Sequence, residues 1–287
     1  LCEALSSGKV AGAALDVFEK EPPEFSPLLG QQNIVLTPHL GASTEEAQVS
    51  VAVAVAQQII DFLKNGIIRN AVNIPAVSAE TWKVLEPYLT LAETIGKMAS
   101  QLAEGRIMEA SMEYSGQITS YNTDPVTTAA LKGVLSSVVP DFLNYVNAPV
   151  LAKERGIAVM ETRIKEPGDY STLVTLKLKT DKEIEEVSGT IFGLKDKRIV
   201  RLEGYDIDLD PPENMLMVYN NDKPGVIGRV GTILGNLGVN ISTMHVARSG
   251  PGGKSITMFS IDSPVDSGVF SEISKVENVF EVKYLKL

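Results

Sequence analysis

Residues 213–287 carry the pattern that most restricts what this chain can fold into. Met215 to Asn220 reads as a strand, and Pro224 opens a helix in which Val226, Ile227, Val230, Ile233, Leu234 and Leu237 recur at helical spacing until Gly238 closes it. Val239 to Val246 and Ser255 to Ile261 read as strands around a glycine-rich turn. Val269 to Val276 is then helical, and Phe280 to Leu285 is a last strand. The order βαββαβ is that of a small ferredoxin-like sandwich.

Two segments upstream read as linkers because paired prolines, asparagines and acids interrupt any regular pattern: Asn70 to Pro75, and Asp206 to Glu213. They divide the chain into residues 1–75, 76–212 and 213–287, with net charges of −4, −6 and 0. In the first part, Gly12 to Val17 and Asn33 to Thr37 are short apolar runs of the kind that form buried parallel strands. A long helix follows, with Ser43-Thr-Glu-Glu46 as a capping box and Ala47, Val51, Val55, Ile59 and Phe62 at helical spacing up to Asn65-Gly66. The second part begins with a helix marked by Leu85, Leu89, Ala92, Ile95, Met98 and Leu102, and has another through Pro125 to Val138. Alternating runs at Ile107 to Tyr114, Val159 to Lys165, Thr172 to Leu178, Glu185 to Phe192 and Arg198 to Leu202 make it an α+β domain. The fold class is therefore α/β followed by α+β, in several domains.

The overall charge of −10 disfavours a general nucleic-acid or membrane binder. No run reaches the ~18 apolar residues of a membrane span. A single cysteine, Cys2, and two histidines, His39 and His245, leave little for a disulfide or a metal centre, and no metal site is expected. A reducing compartment suits this composition, the cytoplasm or an organellar stroma or matrix. Leu1 falls inside what reads as a helix stopped by Gly8, so an upstream portion is expected.

Two places could carry chemistry. His39 follows Thr37-Pro38 at the end of an apolar strand, where ligands bind in an open parallel sheet. Asp16 holds the equivalent place on the preceding strand, with Glu21 a few residues on. A histidine beside a carboxylate is biased toward imidazolium and held in one orientation, which suits proton exchange with a hydroxyl or carbonyl. The alternative is a surface histidine in a proline-containing loop beside solvated acids. The loop Asn220 to Gly225 offers amides and a carboxylate ahead of a helix whose Gly228, Gly231 and Gly235 leave backbone accessible. It could hold a free amino acid, with Asp222 on the ammonium and main-chain N–H groups on the carboxylate. The alternative there is a polar turn with ordinary glycines. Lys195, Arg198 and Arg201 lie in a short cationic run that could bind an anion, or could be a solvated hairpin with a protected edge.

The run Gly12-Ala-Ala-Leu-Asp-Val-Phe-Glu-Lys-Glu-Pro22, followed by Asn33-Ile-Val-Leu-Thr-Pro-His-Leu-Gly-Ala-Ser-Thr44, resembles the final signature of the NAD-dependent D-2-hydroxyacid dehydrogenases. Within them, the order of segments resembles the long-form D-3-phosphoglycerate dehydrogenases: the end of a Rossmann-type catalytic unit in 1–75, an intervening allosteric substrate-binding domain in 76–212 and an ACT domain in 213–287. The resemblance implies His39 as acid/base paired with Glu21. It places Asp16 near the nicotinamide carboxamide, and His39, Leu40, Gly41 and Ala42 along the nicotinamide pocket. NAD is the implied cofactor, 3-phosphoglycerate the substrate, and the product commits carbon to L-serine. The pattern Asp-x-Pro-Gly with Gly-Val-Asn-Ile implies an L-serine effector site at Asn220, Asp222 and Asn240 between two subunits, hence a homo-oligomer. Asn220 stands where a His or Tyr is expected, and an anion role for the intervening domain would fall on Lys195, Arg198 and Arg201. No G-x-G-x-x-G fingerprint occurs, and no Arg precedes Arg69, so both are expected upstream and these residues alone are not expected to turn over. A non-catalytic amino-acid-sensing and oligomerising module, or another 2-hydroxyacid dehydrogenase, are the other readings.

Overall fold

A computed structural model describes residues 1–65, 71, 79–139, 142–166 and 168–287. The chain forms two compact units, Leu1–Ala71 and Val72–Leu287. The linker expected at Asn70–Pro75 lies outside the described residues apart from Ala71, and so does Gly66, expected to close the long helix.

In the first unit, helix α1 (Cys2–Ser6) ends at Gly8, whose φ of +71° is the left-handed conformation glycine adopts freely. Strands β1 (Ala13–Leu15) and β2 (Ile34–Leu36) pair in parallel, Ala14 against Val35, as their apolar runs predict, but they are not buried as expected, and Val35 is exposed. Parallel pairing puts the residues after both strands, Asp16 and Thr37, at the same end. Helix α2 (Glu45–Asn65) is capped by Thr44, whose Oγ1 accepts the Ala47 N–H at 3.2 Å. The cap is thus one residue later than the Ser43 box predicts, because Thr44 is the last residue outside the helix. Val51, Val55, Ile59 and Phe62 form the expected stripe, and it is exposed.

The second unit begins with helix α3 (Ala79–Leu102), then β3 (Ile107–Gly116), α4 (Asp124–Leu135), α5 (Ala148–Glu154), β4 (Ala158–Ile164), β5 (Thr172–Thr180), β6 (Ile184–Phe192), β7 (Asp196–Leu202) and β8 (Tyr205–Leu209). These strands make one sheet in the order β4-β3-β5-β6-β7-β8, antiparallel except for β3 with β4. Here the structure corrects the second linker. Asp206 to Leu209 belong to β8, which pairs with β7 through a tight turn at Glu203 and Gly204, both with positive φ. Alternating Asp and apolar residues had the look of a break, but a solvent-facing edge strand has that same pattern. Helix α5 was not expected from the sequence.

Strands β9 (Asn214–Asn221), β10 (Ile241–Arg248), β11 (Lys254–Ile261) and β12 (Val279–Lys286), with helices α6 (Val226–Asn236) and α7 (Ser267–Ser274), form the expected βαββαβ sandwich. Its sheet runs β10-β11-β9-β12, antiparallel throughout. The left-handed Gly225, φ +90°, is the residue before α6, so Pro224 stands just outside the helix rather than opening it. Both faces of β9 are buried. Leu216 and Val218 face α6 and α7 together with Phe259 and Ile261. Met215, Met217 and Tyr219 face the other way, with Met258 and Leu285, into the same core as Leu91, Ile95, Met98 and Leu209. Each such side chain contributes about 1.5–3 kcal/mol on leaving water, so the sandwich is joined to the larger sheet and α3 rather than tethered beside them. Gln101 extends the joint: its amide donates to the Lys286 carbonyl and accepts the Lys286 N–H, each at 2.9 Å, taking the place of one more residue of strand against β12.

Helices α3 and α4 approach so closely that a methyl at Gly96 would strike the Ala130 carbonyl and one at Gly133 the Glu93 carbonyl. Gly133→Ala is therefore expected to destabilise the protein by about 1–3 kcal/mol through overpacking, outweighing the ~1 kcal/mol of helix propensity gained. Gly231→Ala, in α6 with open space around it, should instead stabilise by about 0.5–1 kcal/mol. Urea denaturation of both variants checks the pair, and a neutral Gly133→Ala would refute the close approach.

Candidate functional site

The turn after β2 is organised by one carboxylate on the turn after β1. Asp16 Oδ1 accepts the Thr37 hydroxyl at 2.5 Å and the Leu40 N–H at 2.6 Å, while Oδ2 accepts the Gly41 N–H at 2.7 Å. The Asp16 carbonyl accepts the His39 N–H at 2.9 Å. A side chain on Gly41 would crowd Oδ2, so the close backbone approach depends on glycine there. Held this way, His39 sits at φ +58°, a left-handed conformation uncommon outside glycine. These bonds hold the Asp16 carboxyl below the usual carboxylate range, with the Thr37 hydroxyl the foremost cause.

His39 Nδ1 lies 2.7 Å from Glu21 Oε2, and Glu21 Oε1 accepts the Phe18 N–H at 2.9 Å. Glu21 is therefore fixed by backbone before it meets the imidazole. The hydrogen bond to Glu21 is the first cause that raises the His39 pKa above its ordinary 6.5, and the same bond lowers Glu21 below 4.5. With Nδ1 engaged, Nε2 is the nitrogen open to a reacting group, and the His39 side chain is 61% exposed. The structure thus joins Asp16, Glu21, His39, Leu40 and Gly41 at one strand end, with Ala42 next in the chain. Thr37 and the Phe18 N–H were missed as parts of the site. Thr37 was legible only as a motif letter, since its hydroxyl matters through the register of β2 against β1.

The second group is not assembled within one chain. Asp222 accepts from Arg248 Nη1 at 2.9 Å, which keeps its carboxyl below the usual range, and the Gly252 N–H lies 3.4 Å away. Asn220 is buried, with its amide donating to the Asn221 carbonyl at 2.8 Å. Asn240 instead donates to Asp262 at 2.5 Å. Arg248 pairs with Ser255 at one end of β10, and Ile241 with Ile261 at the other, so Asn240 is eight residues, roughly 26 Å of strand, from the Asp222 end. Arg248 was the missed residue, because only the strand order β10-β11-β9 brings it across to Asp222.

Of the cationic run read as a possible anion site, the structure gives two residues acidic neighbours. Arg198 lies 3.0, 3.6 and 3.6 Å from Asp196, Asp208 and Asp210, and Arg201 is 3.3 Å from Asp206. Strand β8 sets its acids against these two guanidinium groups and neutralises them. Lys195 falls in the turn between β6 and β7.

Three protein-family models match in order: "D-isomer specific 2-hydroxyacid dehydrogenase, NAD binding domain" over residues 1–41, "D-3-phosphoglycerate dehydrogenase intervening domain" over 84–203, and "ACT domain" over 214–278. Proteins named D-3-phosphoglycerate dehydrogenase from a Synechocystis strain and from Archaeoglobus fulgidus are 42% and 38% identical over the whole of this chain, which covers 52% and 55% of them. An Arabidopsis thaliana protein named D-3-phosphoglycerate dehydrogenase 3, chloroplastic, is 32% identical over the whole chain, which covers 52% of it. The chain spans about half the length of the curated relatives it matches.

The pair's linkage has a definite sign. The raised His39 pKa stabilises the fold fully below 6.5 and less as pH climbs through the folded value. The lowered Glu21 pKa stabilises it above 4.5 and less as pH falls through its folded value. In an NMR titration the His39 midpoint should lie above 6.5, and Glu21→Gln should bring it down toward 6.5; an unmoved midpoint would exclude Glu21 as the cause.

Proposed function

We propose that this chain, which resembles D-3-phosphoglycerate dehydrogenases along its whole length, supplies such an enzyme with its acid/base histidine and its regulatory module. The reaction is oxidation of 3-phosphoglycerate to 3-phosphohydroxypyruvate with NAD, the first step toward L-serine. The contact between His39 Nδ1 and Glu21 carries the reading. It leaves Nε2 free to take the proton of a substrate hydroxyl as the adjacent C–H hydride departs, and Glu21 stabilises the imidazolium that results.

The residues present fit the nicotinamide end of the cofactor. Three hydrogen bonds on Asp16 leave its carboxylate one further acceptor position, suited to a carboxamide N–H. His39, Leu40, Gly41 and Ala42 would line the same pocket. When bound, the nicotinamide accepts the hydride. No glycine-rich fingerprint for its phosphates occurs in these residues. In the whole enzyme, His39→Ala is expected to lower turnover by about 10²–10⁴-fold while NAD affinity is largely kept. Retained turnover would sink the role.

For the regulatory module, the charge pair Asp222–Arg248 matches a free amino acid, which carries one charge of each sign. Asp222 takes the ammonium and Arg248 the carboxylate, a task the sequence reading gave to main-chain N–H groups. Asn240 joins only from a second copy, with the exposed edge strand β10 available for pairing. This supports L-serine as effector and a homo-oligomer, dimeric through this module and tetrameric if a second interface adds to it. No helix among the described residues is long and apolar enough to cross a membrane. Calorimetry of the whole chain with L-serine should show saturable heat that Asp222→Asn weakens at least about tenfold, the scale of a lost charge-assisted hydrogen bond. Absence of heat and of any change in self-association would remove serine sensing and leave the dehydrogenase reading standing.

A further inference from the structure

Where the βαββαβ sandwich meets the larger sheet there is a cleft of about 380 Å³, open to solvent on one side, that the dehydrogenase reading does not use. Glu183, Glu185, Glu186 and Glu203 line it from the side of β6 and the β7–β8 turn, and Tyr219, Glu281 and Lys283 from β9 and β12. Five carboxylates thus face one ammonium.

Four of the five have partners. Glu183 Oε1 accepts the Glu104 N–H at 2.6 Å, Glu186 lies 3.8 Å from Lys177, Glu203 accepts the Tyr219 hydroxyl at 2.6 Å, and Glu281 is 3.3 Å from Lys283. Lys283 is itself committed. It donates to the Leu102 carbonyl at 3.2 Å and lies 5.6 Å from the centre of the Tyr219 ring. Glu185 differs from the rest. It is 6% exposed, and among the described residues its Oε1 is the buried side-chain oxygen with no hydrogen-bond partner. Burial first, and the nearby Glu203 carboxylate second, push its pKa up to about 8. An isolated buried carboxylate costs several kcal/mol unless something compensates it, and the charge of Lys283 offsets this only in part.

We propose that this cleft is a binding site for a small cation, held by Glu185 and Glu203, that ties the sandwich to the larger sheet. Among the described residues no three carboxylate, thiolate or imidazole groups converge as a metal cage. The ligand therefore keeps its own shell: either a hydrated divalent ion of the Mg²⁺ type, which is commonly bound through one or two carboxylates with its waters retained, or an organic ammonium. Six waters occupy roughly 180 Å³ at liquid density, so a hydrated ion fits the space. Because the lining comes from both sides of the joint, occupancy stabilises the joint as well as the ligand.

The test is equilibrium binding to the whole chain in mildly alkaline buffer, with MgCl₂, CaCl₂ and putrescine as separate arms, alongside Glu185→Gln and Glu203→Gln. Both variants keep shape and remove charge, and circular dichroism checks their folding; if one fails to fold, the other carries the comparison. One-site saturable binding in at least one arm, weakened at least about tenfold by the substitutions and accompanied by a higher melting temperature in the unsubstituted protein alone, is the expected result. A metal arm and the amine arm tell the two sources apart. No saturation in any arm, or undiminished binding by the variants, would overturn the proposal.

Discussion

Strand β9 is apolar on both faces, and the second unit depends on that double burial. A four-stranded sheet with two helices on one side satisfies only one face. Met215, Met217 and Tyr219 then need a second cover, and α3 with the β7–β8 region provides it. The consequence is a continuous core from the six-stranded sheet through to the inner face of the sandwich. Movement of one part relative to the other would have to break that core, along with the Gln101 clasp on β12 and the Tyr219–Glu203 hydrogen bond. Such a joint transmits strain instead of absorbing it. The cleft of glutamates sits in the same joint, so charge placed there acts on packing directly.

In the first unit a single carboxylate has a comparable role on a smaller scale. Asp16 uses both oxygens to gather the hydroxyl and backbone N–H groups of the turn after β2. That turn holds His39 in a backbone conformation a histidine rarely adopts, and the constraint aims the ring at Glu21. Acid/base chemistry needs this order of events: a carboxylate fixed by backbone, an imidazole fixed by the carboxylate, and one ring nitrogen left open. The side chains of the pair are substantially exposed, so orientation rather than burial defines the site.

Much of this was legible along the chain. Apolar runs bounded by Gly, Pro and Asn located β1 and β2, and the pattern of strands and helices in 213–287 gave its topology. Strand-end positions brought Asp16 and His39 into one neighbourhood, and the pairing of His39 with Glu21 came with the family resemblance. The failures share a cause, namely that the deciding partner is distant in sequence. Strand β8 looked like a linker because its Asp residues, read alone, resemble a solvated break, whereas across the ladder they meet Arg198 and Arg201. Those same contacts give two cations of the run acidic partners that the sequence alone does not show. Arg248 escaped notice because two strand pairings separate it from Asp222.

The sequence by itself determined which segments become strands and helices, and which residue types stand at the strand ends, because periodicity and backbone preference are local properties. It also determined that Asn220 and Asp222 stand close together near the end of one strand and Asn240 just before another. Only the tertiary structure decided which charges are neutralised and which remain open. Pairing across a sheet depends on strand order and register, and a carboxylate's state depends on what packing leaves beside it. Arg198 lost its freedom to three aspartates, Glu21 gained an imidazole, and Glu185 was buried without a partner.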